Sequence, residues 1–348
     1  MRWLGSGGRI RLLEWEYWPT LAFYWPMLLI GPLLALRSRH PCFFTAANPG
    51  LFAGGLGLES KMATLRMIPS AWRPRTLLVQ AGGDTKVLSE RLAEAGIVYP
   101  LVAKPDLGYR GMAVKKVDTP EELLAHLREH AVPFLLQEFL DYPTEIGVLY
   151  YRDPKTGSGR VSSLTLKNFL FVTGDGRSTV RQLMRREDRA LRQIGRLERE
   201  DPGLLDRVPG KGERFQVSIV GNHAKGTAFL NGNRLIDEAL RARMEEIARP
   251  LAGFHYGRFD IKCASLDDFK RDGDFRIIEV NGVCSEPTHI YDAQQNSYFD
   301  ALGAIIRHWR LIRRIAAANH RRGVAYLAPG RMLRALGDWR AYLRRLAP

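Results

Sequence analysis

Apolar positions along this chain recur at two periods, and the alternation between them marks out strands and helices. The runs Thr76–Val79, Val98–Lys104, Phe134–Leu140 and Glu145–Tyr150 read as strands. Leu88, Leu92 and Ala95 repeat at helical spacing behind a cap at Asp84 or Thr85, and the pattern stops at Gly96. Another helix is expected after Thr119, where Glu122 completes a Thr-x-x-Glu capping box. The stretch from Gly257 to Asp292 predicts two more strands, joined by a polar loop from Asp267 to Asp274. Period two puts Arg258 and Asp260 on one face of the first of these strands. On the second it puts Glu279 and Asn281 on one face, with Phe275 and Ile277 preceding them on that face.

A carboxylate in so apolar a setting is costly unless it is paired, hydrogen-bonded or metal-bound. Asp260, Glu279 and Asn281 offer the hard oxygen ligands that suit Mg²⁺, with Mn²⁺ as an alternative. Arg258 beside them suits a phosphate or a developing oxyanion; a structural salt bridge between Arg258 and one acid is the other reading. Lys104 ends an apolar strand directly before a loop, Asp106 to Met112, containing Gly108 and Gly111. Backbone N–H groups of such a loop cover phosphates while the lysine supplies a cation; a plain hairpin is the alternative. A Gly-rich segment before Glu59-Ser60-Lys61 sets Lys61 near a helix start, without Walker spacing. Gln137, Glu138 and Glu145 flank Phe139 and Leu140, an apolar slot bordered by acids that suits adenine and ribose.

Charge and hydropathy at the two ends add a surface to this interior. The chain has 348 residues, 45% hydrophobic and 26% charged, which is globular and long enough for one large domain or several small ones. Three scattered cysteines, Cys42, Cys263 and Cys284, argue against a disulfide framework or a Cys-based zinc site and for a reducing compartment. The net charge of +15 concentrates after residue 306, where eleven arginines face the single acid Asp338. Met332, Leu333, Leu336, Trp339 and Leu343 make that tail an amphipathic helix, suited to an anionic membrane surface, to packing on its own domain or, least favoured, to nucleic acid. From Trp18 to Leu36 the chain is uncharged and about long enough to cross a bilayer, but Pro19, Pro26 and Pro32 interrupt it. It reads as an interfacial or re-entrant anchor, with a buried hairpin or a homodimer surface as alternatives. Arg37 and Arg39 then place the body on the cytoplasmic face of an inner membrane, peripheral or monotopic.

Lys104-Pro105 with its glycine loop, Gln137-Glu138-Phe139-Leu140 followed by Glu145, Arg258-x-Asp260 and Glu279-x-Asn281 occur in an order similar to that of ATP-grasp ligases. Over roughly Lys61 to Tyr298 the chain resembles the D-alanine–D-alanine ligase branch, the carboxylate–amine ligases. The resemblance implies an α+β fold of two subdomains gripping ATP, here with membrane-surface helical segments at both ends. It also implies contacts from Lys104 and Lys61 to the phosphates and a loop closing over them. Adenine would lie along Gln137 to Leu140, ribose on Glu145, Mg²⁺ on Asp260, Glu279 and Asn281, and the acyl-phosphate and tetrahedral intermediates against Arg258.

The expected division is an anchor-like segment 1–45, a short region 46–98, a lid subdomain 99–150, a catalytic subdomain 151–305 and a basic tail 306–348. The implied activity is ADP-forming ligation of a small-molecule carboxylate to an amine, with a cell-envelope, lipid-linked or amino-acid substrate. A small-molecule kinase on the same fold and a basic membrane or nucleic-acid adaptor are the rival classes. Two departures bear on the substrate: the region before Lys104 is too short for a full N-terminal domain, and Gly282 to His289 differs from the family's Gly-Met-Thr loop. His223, Lys225, Ser285 and His289 are the candidate substrate contacts. A weaker likeness, Gly174-Asp175-Gly176-x-Ser178-Thr179, is similar to cyanophycin-synthetase-type ligases, and equally reads as a turn with a helix cap.

Overall fold

A computed structural model of the protein describes residues 15–81, 85–108 and 111–347. The cap expected at Asp84, residues 109 and 110 of the glycine loop, residues 1–14 of the N-terminal segment and residue 348 lie outside the described residues. The apolar stretch folds as two helices, α1 (Thr20–Tyr24) and α2 (Met27–Ser38), broken at Pro26 and with Pro32 inside α2. The second helix stops at Arg39, whose φ of 54° turns its N–H back onto the Leu36 carbonyl at 3.0 Å. Among the described residues no helix is long and apolar enough to cross a membrane.

After helix α3 (Lys61–Arg66) comes a small sheet with two helices: β1 (Thr76–Val79), α4 (Thr85–Glu94), β2 (Leu101–Pro105), β3 (Lys115–Val117), α5 (Pro120–Arg128) and β4 (Phe134–Glu138). Its strands run antiparallel in the order β1-β4-β2-β3. Leu101, Ala103, Phe134 and Leu136 pack against Leu92 and Leu123 of the helices. The lid division therefore moves: it starts at β1, before residue 99, because Thr76 to Val79 pair with Gln137 to Phe134, and it ends with β4.

A larger sheet follows. Its strands are β5 (Thr144–Arg152), β6 (Gly159–Asn168), β9 (Ala228–Asn231), β10 (Tyr256–Cys263) and β11 (Phe275–Asn281), antiparallel in the order β11-β10-β5-β6-β9. Inserted between β6 and β9 is a small unit of β7 (Phe171–Thr173), four short helices, α6 (Val180–Met184), α7 (Asp188–Leu191), α8 (Ile194–Glu200) and α9 (Pro202–Leu205), and β8 (Arg214–Gln216). One face of the large sheet buries Ile146, Val148, Phe259 and Ile261 against Leu240, Met244 and Ile247 of α10 (Glu238–Ala248). The connection expected as a plain loop holds a helix, α11 (Leu266–Lys270), whose cap Ser265 Oγ accepts from Asp268 N at 3.0 Å.

A β-bulge corrects the face assignment on β11. Asp260 pairs with Glu279 and Ile261 with Ile277, so Ile278 is the extra residue and parity inverts there. Phe275 and Ile277 consequently share the core with Val280, while Glu279 and Asn281 stay on the open face.

The basic tail is not a separate appendage. Helix α12 (Tyr298–Arg321) runs through residue 306 and buries Ile305, Leu311, Ile312 and Ile315. Helix α13 (Pro329–Leu346) buries Met332 beside Cys42 and Ala53, then Tyr342 and Leu346 in the small-sheet core. Its own fold covers part of its apolar face.

Candidate active site

The open face of the large sheet and the underside of the small one enclose a cleft of about 980 Å³. Cross-strand register sets its floor: Asp260 lies opposite Glu279 on one side and Gly147 on the other, and Glu145 lies opposite Lys167. Asp260 Oδ1 and Oδ2 accept from Arg258 at 3.0 and 3.1 Å, and Lys167 Nζ approaches Oδ1 at 3.2 Å. Lys167 also bonds Glu145 at 2.7 Å. Burial alone would raise the Asp260 carboxyl, but Arg258 and Lys167 hold it well below the usual carboxylate range. Burial likewise works against the Lys167 charge, yet Asp260 and Glu145 keep its pKa above the ordinary lysine value. The salt bridge read as the alternative for Arg258 is thus present, inside a larger network.

Lys61 of α3 and Lys104 of β2 reach the same floor. Ser60 Oγ accepts from Ala63 N at 3.1 Å to cap α3, and Asp106 Oδ1 accepts from Met62 N at 2.9 Å. Lys61 is thereby fixed against the glycine loop, with Nζ 2.6 Å from the Gly108 carbonyl and 3.4 Å from Glu279. Burial raises the Glu279 carboxyl less than Lys61 and the other cations lower it, so it lies below its ordinary value. Lys104 Nζ donates to Gln137 Oε1 at 3.1 Å and to the carbonyl of Ile278, the bulge residue, at 3.0 Å. Burial brings the Lys104 pKa down to about 8 despite the nearby Glu279.

Gly108, Gly111, Gln137, Glu138, Phe139 and Leu140 all line the cleft. The Glu138 carboxylate is paired with Arg75 at 2.6 Å, and Lys116 stands over the Phe139 ring at 5.1 Å. Glu145, for which the resemblance implies ribose, also lines the cleft, and its buried carboxylate is paired with Lys167. A Cβ on Gly221 would lie 2.3 Å from Glu145 Oε1, so a larger residue there would push against the Glu145–Lys167 pair.

Of the four candidate substrate contacts, His223 and Ser285 line the cleft and Lys225 and His289 do not. Lys225 pairs with Glu200 of α8 at 3.4 Å. His289 lies beside the cleft, with Nδ1 2.7 Å from Ser163 Oγ on the strand face that also carries Lys167, and burial pushes its pKa down to about 4. The Gly174 to Thr179 run lies outside the cleft as a turn: Asp175 accepts from Arg177 N and Ser178 N at 3.0 and 2.6 Å, and Thr179 caps α6 in a capping box with Gln182.

Sequence reasoning missed two groups. Lys167 is one; its period-two placement opposite Glu145 follows only from knowing that β5 and β6 pair. The other is the N-terminal segment, part of which roofs the cleft rather than standing apart as an anchor. Glu16 takes His223 Nε2 at 2.6 Å and Arg189 at 3.2 Å, and Tyr17 lies 3.5 Å beneath the Arg192 guanidinium. Although burial opposes it, these contacts hold the Glu16 carboxyl below its ordinary value.

The donor set fits a hard divalent cation. Asn281 Nδ2 is buried without a hydrogen-bond partner, and exchanging amide O and N would turn an unpaired oxygen to that place. Glu279 keeps 30% of its side chain open to the cleft. Arg258 and Lys167 occupy three of the roughly four acceptor positions on Asp260, leaving one.

No family model matches the chain, and no curated protein matches it. Among solved structures it is similar to the D-Ala:D-Ser ligase VanG of Enterococcus faecalis at 14% identity and a TM-score of 0.42, over 77% of this chain and 64% of that one. It is similar to a D-alanine–D-alanine ligase of Bacillus anthracis at 15% identity and a TM-score of 0.43, over 75% and 70% of the two chains. The chain resembles ATP-grasp ligases. A bifunctional glutathione synthetase of Pasteurella multocida matches at 17% identity and a TM-score of 0.34, over 64% of this chain and 32% of that one. The chain thus spans less than two thirds of the length of VanG.

Proposed function

We propose that this protein is an ATP-dependent carboxylate–amine ligase acting at an anionic membrane surface on the cytoplasmic side. One observation carries the reading: four cations, Lys61, Lys104, Lys167 and Arg258, converge with Asp260, Glu279 and Asn281 on one cleft beneath a glycine loop. A hairpin stabilised for its own sake needs no such density of buried charge, whereas a triphosphate does. Lys61 and Lys104 neutralise the phosphates, Gly108 and Gly111 bring backbone close to them, and the edge of Gln137 to Leu140 takes the base. Asp260, Glu279 and Asn281 hold Mg²⁺ or Mn²⁺, which supplies charge neutralisation at the transferred phosphoryl group.

The γ-phosphoryl group passes to a substrate carboxylate, releasing ADP. An amine then attacks the acyl carbon, loses its proton and expels phosphate, leaving an amide. Arg258 steadies the oxyanion of that addition. Membrane contact is proposed from the exposed apolar faces of α1 and α2 and from Arg37 and Arg39 beyond them.

Asp260→Asn and Glu279→Gln should each reduce ADP release by at least a hundredfold while leaving the circular dichroism spectrum unchanged. Wild-type turnover in both would remove the metal assignment. A phosphorylated product accumulating in place of an amide would make the protein a kinase.

A further inference from the structure

A second cavity of about 990 Å³ lies beside the nucleotide cleft, between α2 and α12. Met27, Gly31, Ala35 and Arg39, four residues apart, present one ridge of α2 to it, and Ile305 and Trp309 face them from α12. Its inner end is Cys284, Ser285 and Glu286, the segment that also lines the cleft. Polar groups there are already engaged: Glu286 accepts from Tyr24 and Tyr291, Tyr256 Oη meets His308 Nδ1 at 2.9 Å, and Ser285 Oγ donates to Gly282 and Asn281 carbonyls. Arg39 and His40 are the charged or titratable groups at the outer end.

Helix α2 carries apolar residues on nearly every side, although only Leu34 is buried. Its outer face shows Leu28, Leu29, Leu33 and Leu36, 47–75% exposed, with Leu21 and Trp25 of the preceding segment beside them. A helix apolar all round needs apolar surroundings on every side. Here one face meets the protein core, one an open apolar cavity and one the exterior.

We propose that this cavity holds the hydrocarbon chain of an amphiphilic, lipid-borne substrate whose polar head enters the ATP cleft past Cys284 to Glu286. A membrane surface covers the outer leucines, the cavity receives one acyl chain from it, and Arg37 and Arg39 meet the anionic headgroup layer. A cavity of this volume and lining suits an apolar ligand, since the polar groups at its inner end are engaged with one another and Arg39 and His40 stand only at its outer end. The assignment rests on the ligase reading for the fate of the head, but not for the seating of the chain.

The test uses the full chain and the fluorescent fatty acid 11-(dansylamino)undecanoic acid. Saturable binding, displaced by myristate and not by butyrate, is expected. No atom lies within 4 Å of a Cβ built on Gly31, so Gly31→Phe puts a ring into open space. It should weaken probe binding at least tenfold while keeping the rise in Tm produced by Mg-ATP. Leu29→Ser with Leu33→Ser on the outer face should keep probe binding and lose adhesion to vesicles containing phosphatidylglycerol. Unsaturable probe binding, or equal affinity in Gly31→Phe, overturns the proposal, as does concentration-dependent dimerisation that excludes the probe. Loss of the Mg-ATP shift with Gly31-sensitive probe binding intact would remove the ligase reading and leave the cavity assignment standing.

Discussion

Lys104 shows how a single residue ties the small sheet to the β10–β11 hairpin, because its ammonium is held by Gln137 on one side and by the carbonyl of the bulge residue Ile278 on the other. Burial lowers its pKa from 10.5 to about 8, so two opposite pH slopes follow. In the free protein the charged form is penalised; that penalty is present below pH 8 and is relieved as pH rises towards 10.5, the unfolded value. On the proposed function a triphosphate would need the charged form, so the Mg-ATP shift in Tm should shrink as pH rises through about 8. Lys104→Arg, which cannot deprotonate, should keep that shift flat from pH 7 to about 9. A parallel decline in wild type and variant would place the pH dependence elsewhere.

At the scale of elements, the N-terminal segment acts as a latch. Trp15 and Trp18 pack with Phe23 and Tyr298 while Glu16 reaches across to Arg189 and His223. The Glu16 carboxyl is depressed in the fold, so its contribution is fully present above its ordinary value of 4.5 and lost as pH falls through the lower native value. Glu16→Gln should therefore lower Tm at pH 7, with the difference closing below pH 4.5, as followed by tryptophan fluorescence. A difference unchanged down to pH 3 would mean that the carboxylate charge is not what holds the latch. The same segment continues directly into α1 and α2, so the elements that would meet a lipid surface are one turn of chain from those roofing the site.

Across the whole molecule, α13 joins regions far apart in sequence by burying Met332 beside Cys42 and Tyr342 beside Leu107 and Leu346, with the Leu107 amide donating to Tyr342 Oη at 3.3 Å. Tyr342→Ala should cost about 3 kcal/mol in urea unfolding, the range of buried aromatic truncation; a change under about 0.5 kcal/mol would make α13 a bystander. Much of the site was legible in the chain, since Lys61 opens a helix, Lys104 lies near the end of a strand and Arg258, Asp260, Glu279 and Asn281 lie on two apolar strands where a charge calls for a partner. All six line one cleft. Local pattern also located β1, β2, β4, β5, β10 and β11 and the cap at Thr119, because period two, glycines and Ser/Thr caps act over a few residues, while β6 to β9 passed unread. What lay beyond it was everything decided by pairing. The bulge that sends Ile277 inward and Glu279 outward depends on register with β10, and Lys167 enters the site only because β6 lies beside β5. The two ends read as surface segments, yet residues 15–24 roof the cleft and α13 straps the small sheet. Amphipathic pattern states that a face must be covered, and only the tertiary structure decides by what, since burial free energy follows apolar area and carries no address.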